Sequence, residues 1–304
     1  PPAPPARPAA AEVADLVSVI AAPGPQRLRH PLARLSRLGG ATVISSLFLV
    51  ALVLLALLAP VIAPHDPNET DLSSIYRGAS PTHPLGTDEL GRDTFSRIIW
   101  ATRTSLAAPL LVILVAGGIG LAIALLTAWR GGRVDSVLTG ALDILLGFPG
   151  ILLAILAVAF FGAGLAAPVL ALAVAYTPYF ARLIRTVAKR EMSQSYVAAL
   201  TQLGYGGLRI TVRHVAPNIL SFVIAQAAIL FAYATVDLAA MSFLGLGVQA
   251  PQADWGSMVA VDQSGVLQGY ALPAISAGVI IVLTVMALNV LGEGIADRAA
   301  RRGR

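Results

Sequence analysis

The sequence predicts an all-α, polytopic membrane protein with six transmembrane helices, and three observations carry that reading. The chain is 57% hydrophobic and only 12% charged, with a mean hydropathy of +0.78; a soluble domain carries about 25% charged residues. Apolar runs at residues 41–63, 106–128, 137–161, 166–184, 222–248 and 272–291 each reach the roughly 20 residues needed to cross a hydrocarbon core. The basic residues alternate between the connecting segments. Arg77, Arg92, Arg97 and Arg103 fall on one side and the other 17 of the 21 on the opposite side, which the positive-inside bias makes cytoplasmic.

Composition also closes off several function classes. There is no cysteine, so no disulfide framework, thiol nucleophile or thiolate metal site is available. The one lysine, Lys189, precedes Arg190 and follows no glycine-rich run, so the chain has no Walker A loop and ATP hydrolysis must come from another chain. The net charge of +5 orients membrane flanks, and no aromatic-rich basic module accompanies it to bind nucleic acid. The histidines are His30, His65, His83 and His214, all outside the apolar runs. An intramembrane enzyme would therefore lack a base in place, and no catalytic residue or metal site is predicted.

Residues 1–40 read as a mostly disordered cytoplasmic tail, with room for an interfacial helix over 28–38. The first span, 41–63, is too long and too far along the chain to be read as a cleaved signal peptide. Residues 64–105 carry the acidic excess of Asp66, Glu69, Asp71, Asp88, Glu89 and Asp93 and form an external loop, in which Thr87 and Asp88 can cap a short helix. The second span offers Gly117, Gly118 and Gly120 as a small-residue face for close helix packing.

The third span contains Asp143 and a break at Phe148-Pro149-Gly150, and the fifth contains Asp237. A carboxylate in hydrocarbon is costly and defaults to a functional reading, so both are expected to face the protein interior. With Pro149 and Phe243 they are the candidates for a translocation path. Asp143 lies only about two turns from Arg133, so a structural role near the interface is the alternative reading for it. If the two acids carried protons, the chain would be an ion-coupled secondary transporter. No internal repeat supports that class.

Pro178 should kink or end the fourth span. Residues 185–221 then form the longest internal polar segment, basic and broken at Gly204, Gly206 and Gly207, with a short helix expected over 195–203. Gly204 would permit a sharp reversal if its φ is positive. Residues 249–271 lack Lys and Arg and are external; 293–304 form a basic cytoplasmic tail. With residues 106–292 as the core membrane domain, both termini are placed inside.

Three stretches carry a family resemblance. Tyr196-Val197-Ala198-Ala199, then Gly204, then Arg213-His214-Val215-Ala216-Pro217 resembles the coupling loop of ABC importer permeases, with Gly204 and Pro217 on the pattern's Gly and Pro and with Ala198 standing where that pattern has Glu. His83-Pro84-Leu85-Gly86-Thr87-Asp88-Glu89-Leu90-Gly91-Arg92-Asp93 resembles the segment before the second helix of dipeptide, oligopeptide and nickel permeases of the C-subunit type. Ser242 to Gln249, continued by Pro251 and Asp254-Trp255-Gly256, resembles the same subunits. The resemblance implies a type I ABC importer permease fold in a bacterial inner membrane. It implies a homologous second permease, two ATP-binding subunits that hold ATP and Mg, and an extracytoplasmic solute-binding protein as partners. This chain would carry no cofactor. For the external motif, a well-folded cap without ligand contact is as good a reading as a substrate role.

Overall fold

A computed structural model describes the backbone of residues 32–302 and the side chains of residues 39–298. The expected disorder of the tail and its interfacial helix fall mostly outside these residues, except that helix α1 (Leu32–Leu57) carries regular structure back into the segment expected to be a tail. After it come α2 (Ala59–Ile62), a 3-10 turn at Leu72–Ser74, α3 (Thr94–Arg130), α4 (Gly132–Leu146), α5 (Gly150–Phe161) and α6 (Ala166–Met192). The cytoplasmic segment holds α7 (Ser195–Gln202), α8 (Gly207–Ile210) and a π-turn at Thr211–Val215 that runs into α9 (Ala216–Phe243). The chain ends in α10 (Trp255–Val261), α11 (Gln263–Leu267) and α12 (Leu272–Arg302).

Among the described residues five helices are long and apolar enough to span, and α4 with α5 makes a sixth only if that pair, bent by 78°, is one broken span and not a re-entrant loop. The break is local chemistry: Pro149 has no N–H to donate, and the residue before a proline is driven out of the helical region. The third span is therefore a hinge of two short helices.

Several helices outrun the apolar runs. Helix α3 has 37 residues, about 55 Å of helix at 1.5 Å per residue, against a hydrocarbon core of about 30 Å. Its first three turns lie outside the apolar run and are held by neighbouring protein. Asp93 caps the helix by accepting a hydrogen bond from the Ser96 amide at 2.8 Å, in place of the expected cap at Thr87 and Asp88. Helix α6 runs through Pro178 without ending, because α3 packs tightly against it. A Cβ at Gly120 would lie 3.1 Å from the Ala181 amide and 3.2 Å from the Thr177 carbonyl oxygen. Gly117 sits against Phe180, whereas Gly118 faces open space.

Two apolar clusters organise the span bundle. One joins α3, α5, α6 and α9 through Val112, Leu172, Phe180, Ile184, Leu230 and Met241. The other lies toward the external end and gathers Leu52, Ile98, Ala101, Trp255, Met258 and Ala277.

Candidate functional site

Three regions gather the residues singled out by the sequence. The external cap is built first by turns. Gly86 and Gly91 have φ of 71° and 72°, a region glycine enters without steric cost, and a Cβ on Gly91 would overlap the Asp71 carbonyl. Between them Asp88 Oδ1 accepts from the Leu90 and Arg92 amides, each at 2.9 Å, while Oδ2 accepts from Arg92 Nε at 2.7 Å. Arg97 Nε lies 3.4 Å from the same oxygen and its other arm donates to the Pro67 carbonyl at 2.9 Å. Thr87 accepts from the Arg77 amide at 2.8 Å and donates to the Ser74 carbonyl. Thr87, Asp88, Arg92 and Asp93 are all buried. The motif's Thr87, Asp88, Arg92 and Asp93 side chains are thus bonded within the cap.

The second external segment closes on this cap. The Trp255 amide donates to Ser105 Oγ at 3.0 Å, Tyr76 and Tyr270 stack with centroids 5.1 Å apart, and Tyr76 reaches Ser264 at 3.1 Å. Asp262 lies beneath, buried, with one carboxylate oxygen lacking a hydrogen bond among the described residues. Burial, together with the nearby charge of Asp88, pushes its carboxyl up to about 7, with Arg97 opposing. Burial also pushes the Asp254 carboxyl up, against hydrogen bonds from Ser242 and Ser257.

The second region lies mid-span. Tyr176 donates to Asp237 Oδ2 at 2.8 Å across 61 positions, and both line a cavity of about 420 Å³ with Phe148, Gly150, Tyr179 and Tyr233. Asp237 is half-buried there. The Asp143 side chain is 50% exposed within this chain and pairs with Arg182 Nη1 at 3.8 Å, an ion pair of the kind its structural reading calls for. The pairing follows from its place near the end of α4, where Arg182 on α6 can reach it. Pro149 and Phe243 are exposed and lie off the cavity wall. Sequence reading missed Asp135, which α4 sets against Arg185, at 2.6 and 2.8 Å, and against Lys189. Its signal was only a lone acid in a basic cytoplasmic turn.

The third region is the cytoplasmic segment. Helix α7 ends at Leu203 and reverses at Gly204, where φ is 82° and a Cβ would meet open space. Val197, Ile210 and Val215 form a small buried cluster of their own, flanked by Met192, Tyr196 and Leu200. Glu191 accepts from Tyr196 Oη and from Asn218 Nδ2, both at 2.9 Å, tying the end of α6 to the start of α9. Gly207 packs against the Trp129 indole at the end of α3, leaving no room for a Cβ. Tyr205 meets His214 edge-on and lies under Arg209. Ala198, Ala199, Arg213 and Pro217 point outward, and Leu203, Leu208 and Val212 are 74%, 53% and 57% exposed.

The fold also brings together His65, His83 and Asp93, a grouping no spacing in the chain suggested.

A helical span bundle, a folded polar cap and an anchored polar hairpin with an exposed apolar face fit a transport permease. Residues 116–304 match the family of binding-protein-dependent transport system inner membrane components, and residues 41–81 match the N-terminal transmembrane domain of oligopeptide transport permease C. The chain belongs to this permease family. It is 36% identical to the di/tripeptide transport system permease protein DppC of Pseudomonas aeruginosa, over 83% of this chain and 84% of that one. It is 37% identical to the glutathione transport system permease protein GsiD of Pectobacterium atrosepticum, over 84% and 85%, and 35% identical to the probable D,D-dipeptide transport system permease protein DdpC of Escherichia coli, over 84% and 86%.

Proposed function

We propose that this chain is one of two homologous permease subunits of an ATP-driven importer for di- or oligopeptides or related small solutes, with both termini in the cytoplasm. A binding protein delivers the solute from outside, and two ATP-binding subunits supply the energy. The names of the relatives support the peptide class. The Tyr176–Asp237 pair and its cavity are the part of this chain that would face a passing solute.

The observation that carries the coupling role is the cytoplasmic hairpin. ATP bound elsewhere can move these helices only through an element that meets its partner differently in two states. The α7 hairpin is rigidly joined to α3, α6 and α9 through Trp129, Glu191 and Asn218, so displacing it displaces them. Its outer face of Leu203, Leu208 and Val212 is apolar and more than half exposed, which suits a docking contact.

Gly204→Trp in the reconstituted importer is expected to leave insertion and pairing with the second permease intact while abolishing substrate-stimulated ATP hydrolysis. Unchanged stimulation would put the coupling contact elsewhere. Transport driven by a pH gradient without ATP-binding subunits would make the chain a secondary carrier using Asp143 and Asp237. The orientation is checked with single cysteines, since the chain has none of its own. An impermeant thiol reagent on intact cells should label Ser264→Cys and leave Ser193→Cys unlabelled.

A further inference from the structure

The cap contains one buried imidazole nitrogen, His65 Nδ1, that the hydrogen bonds among the described residues leave unpaired. His65 lies just past the end of the first crossing, His83 lies in the cap loop, and Asp93 is the N-cap of α3. The two imidazoles stack with centroids 4.9 Å apart and both turn Nδ1 to the same carboxylate. His83 Nδ1 is 3.0 Å from Asp93 Oδ1, and His65 Nδ1 is 3.6 Å from Oδ2. One ligand atom from each of the three residues lies within 4.8 Å of the others.

His65 Nδ1 is itself buried and has no hydrogen-bond partner among the described residues. A buried imidazole nitrogen facing a carboxylate needs a proton or a metal ion between the two. We propose that His65, His83 and Asp93 form a site for a borderline divalent transition-metal ion of the zinc class, closing the external cap onto the head of α3.

The dimensions suit it. Two ligands of a tetrahedral zinc ion, each about 2.0–2.1 Å from the metal, sit about 3.3 Å apart, between the two distances found here. Two imidazoles and one carboxylate make the donor set of an open zinc site with a free fourth position. The ligands are also braced, as metal sites require: the Ser96 amide donates to Asp93 Oδ2 at 2.8 Å, and Ser96 Oγ accepts from the His65 amide at 3.1 Å. The fourth position has access to solvent, because His65 lines an external cavity of about 650 Å³ together with Asp66, Asn68, Trp100, Arg103 and Gln252.

The test uses the full-length chain in its assembled importer, purified without a histidine tag and stripped with chelator. Cobalt is added as a spectroscopic stand-in for zinc, and zinc is then titrated to displace it. The wild type should bind one equivalent more than a His65→Gln/His83→Gln double variant, with a visible cobalt band that the double variant lacks. His65→Gln alone should weaken zinc at least about tenfold. Asp93→Asn keeps a good N-cap and should also lose the ion, so the proposal is decided even if His83→Gln misfolds. Zinc should raise the thermal midpoint of the wild type and not that of Asp93→Asn. Equal stoichiometry and equal cobalt spectra in wild type and variants would overturn the site and leave the three residues as a hydrogen-bonded cluster.

Discussion

The external cap and the cytoplasmic hairpin are both polar segments between spans, both turn on positive-φ glycines, and they are built on opposite principles. In the cap, Asp88, Arg92, Arg97, Thr87 and Asp93 are buried and satisfy one another. In the hairpin, the buried part is three residues, Val197, Ile210 and Val215, and the large side chains Leu203, Leu208 and Val212 face out. One segment uses its polar groups in its own structure, and the other leaves large apolar side chains exposed. Under the proposed coupling role, damage to the cap is a folding defect and damage to the hairpin is a signalling defect.

The largest effect that would sharpen this contrast comes from Asp88→Ala. It strands two buried guanidinium groups, and removing one member of a buried ionic network costs about 3–5 kcal/mol. The variant should accumulate poorly in membranes and melt well below the wild type. Arg209→Ala in the hairpin, where the arginine is exposed, should leave the melting point unchanged. Equal melting points for the two variants would break the comparison.

A finer version uses the same substitution at the same backbone conformation. Gly91 and Gly204 have φ of 72° and 82°, so alanine at either carries the strain of a left-handed residue, about 1 kcal/mol. At Gly204 nothing else is added, because the Cβ meets open space, whereas at Gly91 it overlaps the Asp71 backbone. Gly91→Ala should therefore lower the midpoint of chemical unfolding by clearly more than Gly204→Ala, and indistinguishable midpoints would contradict the packing described for the cap.

The smallest expected effect is a pH dependence seated in the cap. The Asp262 carboxyl is pushed up to about 7 in the folded chain from an ordinary value of 3.8. Between those values the folded state holds a proton that the unfolded state has lost. Its contribution to stability is thus fully present below about pH 4, falls as pH rises through the window, and is constant above about 7. Asp262→Asn should shrink the loss of thermal midpoint between pH 5 and pH 8 relative to wild type. An identical pH profile in the variant would mean that Asp262 is ionised throughout.

What the sequence determined by itself is the set of properties that depend on neighbours along the chain. Crossing a bilayer requires an unbroken apolar stretch, so hydropathy located the spans, and Pro149 marked the break in the third. The reversal at Gly204 and the short helix before it follow equally from local backbone preferences. The helix ends were not legible, because α3 begins a dozen residues before its apolar run and α6 continues past Pro178 only through packing against other helices. The pairing of Asp143 with Arg182 was not legible for the same reason: it depends on how α6 packs against α4. Only the tertiary structure could join Tyr176 to Asp237, Asp135 to Arg185, and His65 and His83 to Asp93. Such pairs form between residues that the chain keeps far apart and that the packing of separate helices brings within bonding distance. No local pattern encodes that packing.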